Sequence, residues 1–352
     1  MVDLSEPIEI GGLMVRNRFV MPPMVRNLAT DDGKVTQDLI EHYAARSRGG
    51  VGLVIVEAAA VAWEHSIMKR NVGIHDDRLI PGLAKLAEGI KAHGARAFIQ
   101  INHSGPKSHV ATRFVGPSDV PIMKNKVPEV LSVNEIEKIR EMFVDAARRV
   151  VLAGFDGVEV HGAHFFLLSS FLSSYTNQRE DEYGGTLLNR TKLVVDTVRR
   201  IREEFDDFPL ALRINGIENV VNGIDIEEAI QISKIAEKAG VDAVDVSCVV
   251  NPTSHPGIPA RFSKETMPDF LSEYPFECCI PCAARIKTNV DVPVIGVGMV
   301  RKAEFARNIM KKDLCDLLAV GRGLLADSDF AEKVLEGRDD EIKPWRDPNE
   351  RS

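Results

Sequence analysis

The chain has 352 residues, 44 basic against 52 acidic, for a net charge of −8, and 44% of its residues are apolar. That is the make-up of a soluble globular protein able to bury a substantial core. It offers no basic stripe for nucleic acid and no apolar run of the roughly 20 residues needed to cross a membrane.

Eight short runs rich in Val and Ile recur along the chain, separated by longer stretches of helical periodicity. The first predicted strand, Arg18–Met24, contains Pro22-Pro23-Met24 and is followed by a helix over Leu39–Arg48. The second, Val51–Ala58, ends on Glu57-Ala58 and precedes a helix over Leu83–Ala92. The third, Ala97–Asn102, carries Gln100, and its helix spans Asn134–Leu152. The fourth, Gly157–Gly162, leads through His161 and His164 to a helix over Asn189–Glu204, with Asn189 as the expected N-cap. The fifth and sixth, Phe208–Asn215 and Ala243–Ser247, carry Arg213 and Ser247, before helices over Ile226–Ala239 and Cys279–Thr288. The last two, Val292–Gly298 and Leu317–Gly321, end in glycine turns ahead of helices over Ala303–Lys311 and Ser328–Leu335.

Eight alternating units of this kind predict a (β/α)8 TIM barrel, an α/β fold, with residues 1–352 forming one domain. Near-continuous apolar strands fit a parallel sheet covered on both faces. The long segments at 63–70, 105–128 and 249–274 each follow a strand, so they belong to the face where barrel enzymes keep their sites. The N-terminal Met-Val-Asp-Leu-Ser-Glu-Pro has neither the basic region nor the apolar stretch of a secretory signal, and a cytoplasmic location is expected.

His161 and His164 emerge where the fourth strand stops. Two imidazoles three residues apart can donate two hydrogen bonds to one oxygen, the arrangement that polarises a carbonyl or holds a phenolate. Metal ligation competes with this, but no third ligand stands at an obvious partner strand end, and no metal is expected. The turns Gly296-Val297-Gly298 and Val320-Gly321-Arg322 can cradle a phosphate with backbone N–H groups, and Arg322 can pair with it. Of the five cysteines, Cys279 and Cys282 form a C-x-x-C without a second pair, which points to buried or incidental thiols.

Together these segments resemble the Old Yellow Enzyme family of FMN-dependent NAD(P)H oxidoreductases over essentially the whole chain. The resemblance is carried by Asn17-Arg18-Phe19-Val20-Met21-Pro22-Pro23-Met24, Ile99-Gln100-Ile101-Asn102-His103-Ser104-Gly105 and Gly157-Val158-Glu159. Its most specific part is His161-Gly162-Ala163-His164 with Asn177, Arg179, Tyr183-Gly184-Gly185 and Asn189-Arg190. The resemblance implies FMN across the barrel mouth. Pro22, Pro23, Met24, Val25 and Ala58 would lie along the ring, with Gln100 and Arg213 at its pyrimidine edge. Gly298, Gly321 and Arg322 would hold the phosphate, and His161 and His164 the substrate oxygen. Hydride would pass from NADH or NADPH through the flavin to the activated alkene of an α,β-unsaturated carbonyl, or to a quinone or nitro acceptor. Members of the family are often homodimers or homotetramers.

Two positions depart from the family pattern. A Tyr usually stands two residues after the second His and protonates the substrate's α-carbon; here Phe166 has no proton to give. Either another group supplies it, with Tyr175, Tyr183 and water as candidates, or the reaction differs. Phe166 would in either case line the substrate site. Near the flavin edge, Arg26 would either attract an anionic substrate group or sit on the surface. Longer relatives continue into an iron–sulfur segment, but this sequence has Trp345 there and no Cys after Cys315, so electrons are expected straight from the nicotinamide. Two competitors remain: FMN-dependent dehydrogenation or amine oxidation, and a flavin-free barrel binding a phosphorylated ligand.

Overall fold

Eight parallel strands close on themselves in a computed structural model that describes residues 3–249 and 260–346. In chain order they are β1 (Phe19–Met21), β2 (Leu53–Ala60), β3 (Arg96–Asn102), β4 (Gly157–Gly162), β5 (Leu210–Glu218), β6 (Ala243–Val249), β7 (Val294–Val297) and β8 (Leu317–Ala319). Closure is made by β8 against β1, with Leu318 opposite Phe19 and Ala319 opposite Val20. The outer ring comprises α1 (Gln37–Arg48), α2 (Ile80–Lys91), α3 (Val133–Leu152), α4 (Leu187–Glu204), α5 (Ile226–Ala239), α6 (Ile280–Lys287), α7 (Ala303–Lys311) and α8 (Phe330–Leu335). The predicted (β/α)8 barrel is therefore the fold.

Helix starts are fixed by side chains. Ser132 and Glu135 form a capping box at α3, and Asp225 caps α5 by accepting from the Glu228 N–H. At α4 the cap is Thr186, whose hydroxyl accepts from the Asn189 N–H. Asn189, expected as the cap, is instead inside the first turn, because the helix begins at Leu187. Arg18–Met24 also shrinks to β1, since Pro22 and Pro23 have no N–H for the ladder.

The barrel interior is filled by Val20, Leu53, Ile55, Phe98, Ala211, Ala243, Ile295 and Leu317. Gly157 makes room for this plug: a Cβ there would lie 2.3 Å from the Phe98 ring. An antiparallel hairpin, Ile8–Ile10 with Leu13–Val15, adds Ile10 and Val15 to the same cluster. The Gly11-Gly12 turn between its apolar runs signals that hairpin in the sequence, although three-residue strands are easily passed over.

Register shifts where β2 passes β3: Val56 pairs with Ile99, but Ala59 pairs with Ile101, so β2 holds one extra residue. The insertion falls at Glu57, which turns to Tyr43 of α1, while Ala58 faces the mouth beside Phe166. Of the long segment 249–274, residues 250–259 lie outside the described residues; Asp269–Ser272 forms a short helix. No helix among the described residues is long and apolar enough to cross a membrane.

Candidate active site

A cavity of 480 Å³ opens at the carboxyl ends of the strands, walled chiefly from β5 to β8 and by the turns that follow them. His164, Phe166, Arg213, Gly298, Gly321 and Arg322 all line it. Six expected site residues thus share one space, although they are spread from position 164 to 322.

The backbone turns sharply to build the histidine pair. His161 is the last inward residue of β4, opposite Arg213 of β5. His164 (φ 63°) and Phe165 (φ 58°) follow in the left-handed region, which side chains other than glycine rarely adopt. Side chains anchor this turn: Asn215 Oδ1 accepts from the His164 N–H at 3.0 Å, and Ser169 Oγ accepts from the Phe165 N–H at 3.0 Å. The turn folds the second imidazole back over the first, with ring centroids 5.2 Å apart. His164 Nδ1 and His161 Nε2 are 3.4 Å apart, and His164 Nε2 shares a 2.7 Å hydrogen bond with Ser247 Oγ. Burial, assisted by the charges of Arg213 and Lys107, holds the His161 pKa well below its usual value, so its ring is neutral. A neutral imidazole can offer one N–H and keep one acceptor.

Beneath the pair lies a charged layer inside the barrel. Gln100 Nε2 donates to Glu159 Oε1 at 2.7 Å, and Arg213 Nε lies 3.4 Å from Asp245 Oδ2. Burial raises the pKa of Glu159, with Asp245 adding to the rise; Asp245 is raised by burial too, with Arg213 opposing. Two buried carboxyls facing one guanidinium settle by keeping a proton between them. Gln100 and Arg213, expected at one edge of a flavin, do belong to this one layer. Arg213 reaches the cavity, whereas Gln100 is buried below it.

The phosphate turns carry their own geometric marks. Gly298 has φ 144°, and a Cβ there would stand 2.7 Å from the Cys279 amide nitrogen. A Cβ on Gly321 would meet Met24 Sδ at 3.3 Å, which places the Pro22–Met24 segment against the same turn. Arg322 Nη2 approaches Met299 Sδ at 2.8 Å and Glu277 Oε2 at 3.8 Å, at the rim. Val25 packs with Ala58, Ile67 and Phe166 in a small apolar cluster on the opposite side. Pro22 is buried, and Pro23 and Met24 are half-buried.

These residues fit FMN. The space lies in the range of about 300–1,000 Å³ typical of cofactor sites. Arg213 Nε and His161 Nδ1 are buried polar atoms with no hydrogen-bond partner among the described residues. Both glycine turns leave their backbones open to the cavity. Among the described residues no group of three His, Cys, Asp or Glu side chains is placed to hold a metal.

Other candidate residues of the sequence stand outside the cavity. Arg26 is exposed and does not line the cavity; its N–H donates to Glu57 Oε2 at 2.9 Å, outside the barrel mouth. Neither Tyr175 nor Tyr183 lines it: Tyr175 packs beside Phe165, and Tyr183 against Phe171. Cys279 and Cys248 do reach the cavity, and Cys248 Sγ lies 3.7 Å from Cys282 Sγ as a thiol pair. Lys107, which carries no motif of its own, also stands in the wall. A basic residue just beyond His103-Ser104-Gly105, after a strand end, was the only signal for it.

The chain belongs to the NADH:flavin oxidoreductase / NADH oxidase family, whose pattern matches residues 3–341. This is the FMN-dependent Old Yellow Enzyme family that the motifs resemble, and its members draw electrons from NADH or NADPH. The chain is 41% identical over 346 residues to an NADH oxidase of Thermoanaerobacter brockii, covering 95% of this chain but 51% of that protein. It is 35% identical over 324 residues to an NADPH dehydrogenase of Geobacillus sp. (strain WCH70), covering 92% of this chain and 90% of that one. Among solved structures, a 2-naphthoyl-CoA reductase in complex with 2-naphthoyl-CoA superposes with a TM-score of 0.87 at 28% identity, covering 97% of this chain and 53% of that one. The chain thus spans about half the length of some of its relatives and nearly all of others.

Proposed function

We propose that this protein uses FMN to pass hydride from NADH or NADPH to the alkene of an α,β-unsaturated carbonyl compound, with quinones and nitro compounds as alternative acceptors. The observation that carries this reading is the edge-to-face pair His161–His164, with facing ring nitrogens 3.4 Å apart above the Arg213 layer. When bound, FMN supplies two-electron chemistry between nicotinamide and substrate. Everything else is the work of the chain.

Gly298, Gly321 and Arg322 hold the cofactor's phosphate through backbone N–H groups and one guanidinium. Pro22, Pro23, Met24, Val25 and Ala58 give its ring an apolar bed. Gln100 and Arg213 meet the pyrimidine edge, where the guanidinium favours negative charge on the reduced ring. His161 and His164 bond the substrate's carbonyl oxygen and stabilise the charge that develops there, an effect worth a few kcal/mol. Phe166 closes the apolar side of the substrate site. The 2-naphthoyl-CoA reductase relationship adds acyl thioesters to the carbonyl compounds worth trying.

The test is anaerobic. Purified protein should be yellow, should bleach with NADH or NADPH, and should regain its colour on mixing with cyclohexenone as the saturated ketone forms. Colour returning with quinones alone would remove alkenes from the proposal. Bleaching by saturated ketones or N-methyl amines would favour the reverse, dehydrogenating direction. Folded protein that holds no flavin would end it.

A further inference from the structure

The proposed alkene reduction needs an acid at the α-carbon, and Phe166 supplies none. No tyrosine lines the cavity among the described residues. Lys107 does line it, next to the histidine pair. Its Nζ lies 5.2 Å from the centre of the Phe166 ring and donates to the backbone carbonyl of His164 at 3.0 Å. The short turn Gly105–Lys107 after β3 holds the lysine there, and Gly105, with φ 53°, packs directly against Leu167.

Among the described residues, this ammonium has no ion-pair partner. No carboxylate lies within 4.0 Å of it among the described residues. The titratable groups that feel its charge are His161 on β4 and His109 on its own loop, with Lys126 donating to the Ser108 carbonyl beside it. Burial accordingly draws its pKa down to about 8. An ammonium so placed gives up a proton readily near neutral pH.

Resting on the proposed reduction, we propose that Lys107 is the acid that protonates the substrate's α-carbon, in the place of the tyrosine that Phe166 replaces. Hydride brings an electron pair to the β-carbon, and the former alkene pair moves to the α-carbon and the oxygen held by the histidines. One N–H bond of the ammonium breaks and a C–H bond forms at the α-carbon. Lys107 is left as a neutral amine, which takes a proton from water.

Flavin-loaded enzyme, pre-reduced under nitrogen, is mixed with either cyclohexenone or a benzoquinone; the quinone needs protons only on oxygen, which water supplies. In Lys107→Arg, which keeps the charge but cannot release a proton, the ratio of alkene to quinone rates should fall at least about tenfold. Lys107→Ala should behave alike and recover alkene turnover with added ethylammonium. The wild-type alkene rate should decline above pH 8, and Lys107→Arg should lack that limb. A separate NMR titration of the lysine ε-carbons in apoprotein should show one group near 8 that Lys107→Arg removes. An unchanged rate ratio in Lys107→Arg, or an equal fall with both acceptors, overturns the assignment while leaving the reduction intact. A wild-type enzyme that reduces quinone and no alkene overturns both.

Discussion

Ser247 Oγ lies 2.7 Å from His164 Nε2, so the outer imidazole is oriented by a residue of β6 rather than by its own strand. The inner imidazole has no such partner at Nδ1 among the described residues. Ser247 thus fixes the orientation of the His164 ring at the pocket wall. Ser247→Ala should weaken a phenol ligand about fivefold, the worth of one ordinary hydrogen bond. Spectral titration of the flavin-loaded variant reads that change, and an unaltered affinity would show that the ring is held by packing alone.

Phe166 and Lys107 define one place in the pocket, so changes at the two should not add. In the native background, Phe166→Tyr should alter alkene turnover by less than about threefold, because an acid is already present. In the Lys107→Arg background the same change should restore turnover by at least about tenfold. Equal effects in both backgrounds would mean that the two positions do not share a task.

Glu57 predicts a pH dependence of stability. Burial pushes its pKa up to about 7 from an ordinary 4.5, against hydrogen bonds from the Arg26 N–H and Tyr43. The folded state therefore binds the proton more tightly than the unfolded chain does. Stability from this residue is fully present below about pH 4.5 and declines as pH rises through 7. Glu57→Gln removes the titration, so its stability relative to wild type should improve by roughly 3 kcal/mol between pH 4.5 and 8. Urea denaturation at those pH values is the measurement; a constant difference would contradict it.

Burial also pushes the Cys278 and Cys315 thiols up to about 12. Only the thiolate reacts, so alkylation at pH 8 should be roughly a thousandfold slower than for a free thiol. Mass spectrometry of iodoacetamide-treated native protein should find both unmodified, and guanidinium should release them. Rapid labelling in the native state would show that these sites open.

Much of the barrel was legible because its strands are apolar and its helices long: β4, α5 and α7 begin and end where the periodicity does. The glycine turns and the histidine pair were legible because few residue types do their work. Other features were hidden for identifiable reasons. Glu57 reads as a strand-end carboxylate, and only the extra residue in β2 turns it outward. Arg26 follows a motif that touches the site, but proximity in sequence does not aim a long side chain. Lys107 looks like one more surface lysine until folding brings it over the Phe166 ring.

The irregular pairing of β2 has a consequence for redesign. Straightening that strand by deleting one residue would swap the two sides on which positions 57 and 58 sit. A carboxylate would then point toward the mouth, where the proposed function seats the flavin ring, and an alanine at Tyr43. On the proposed function, the kink keeps negative charge off a surface that must itself take up electrons, and a designer who idealised it would trade redox competence for regularity.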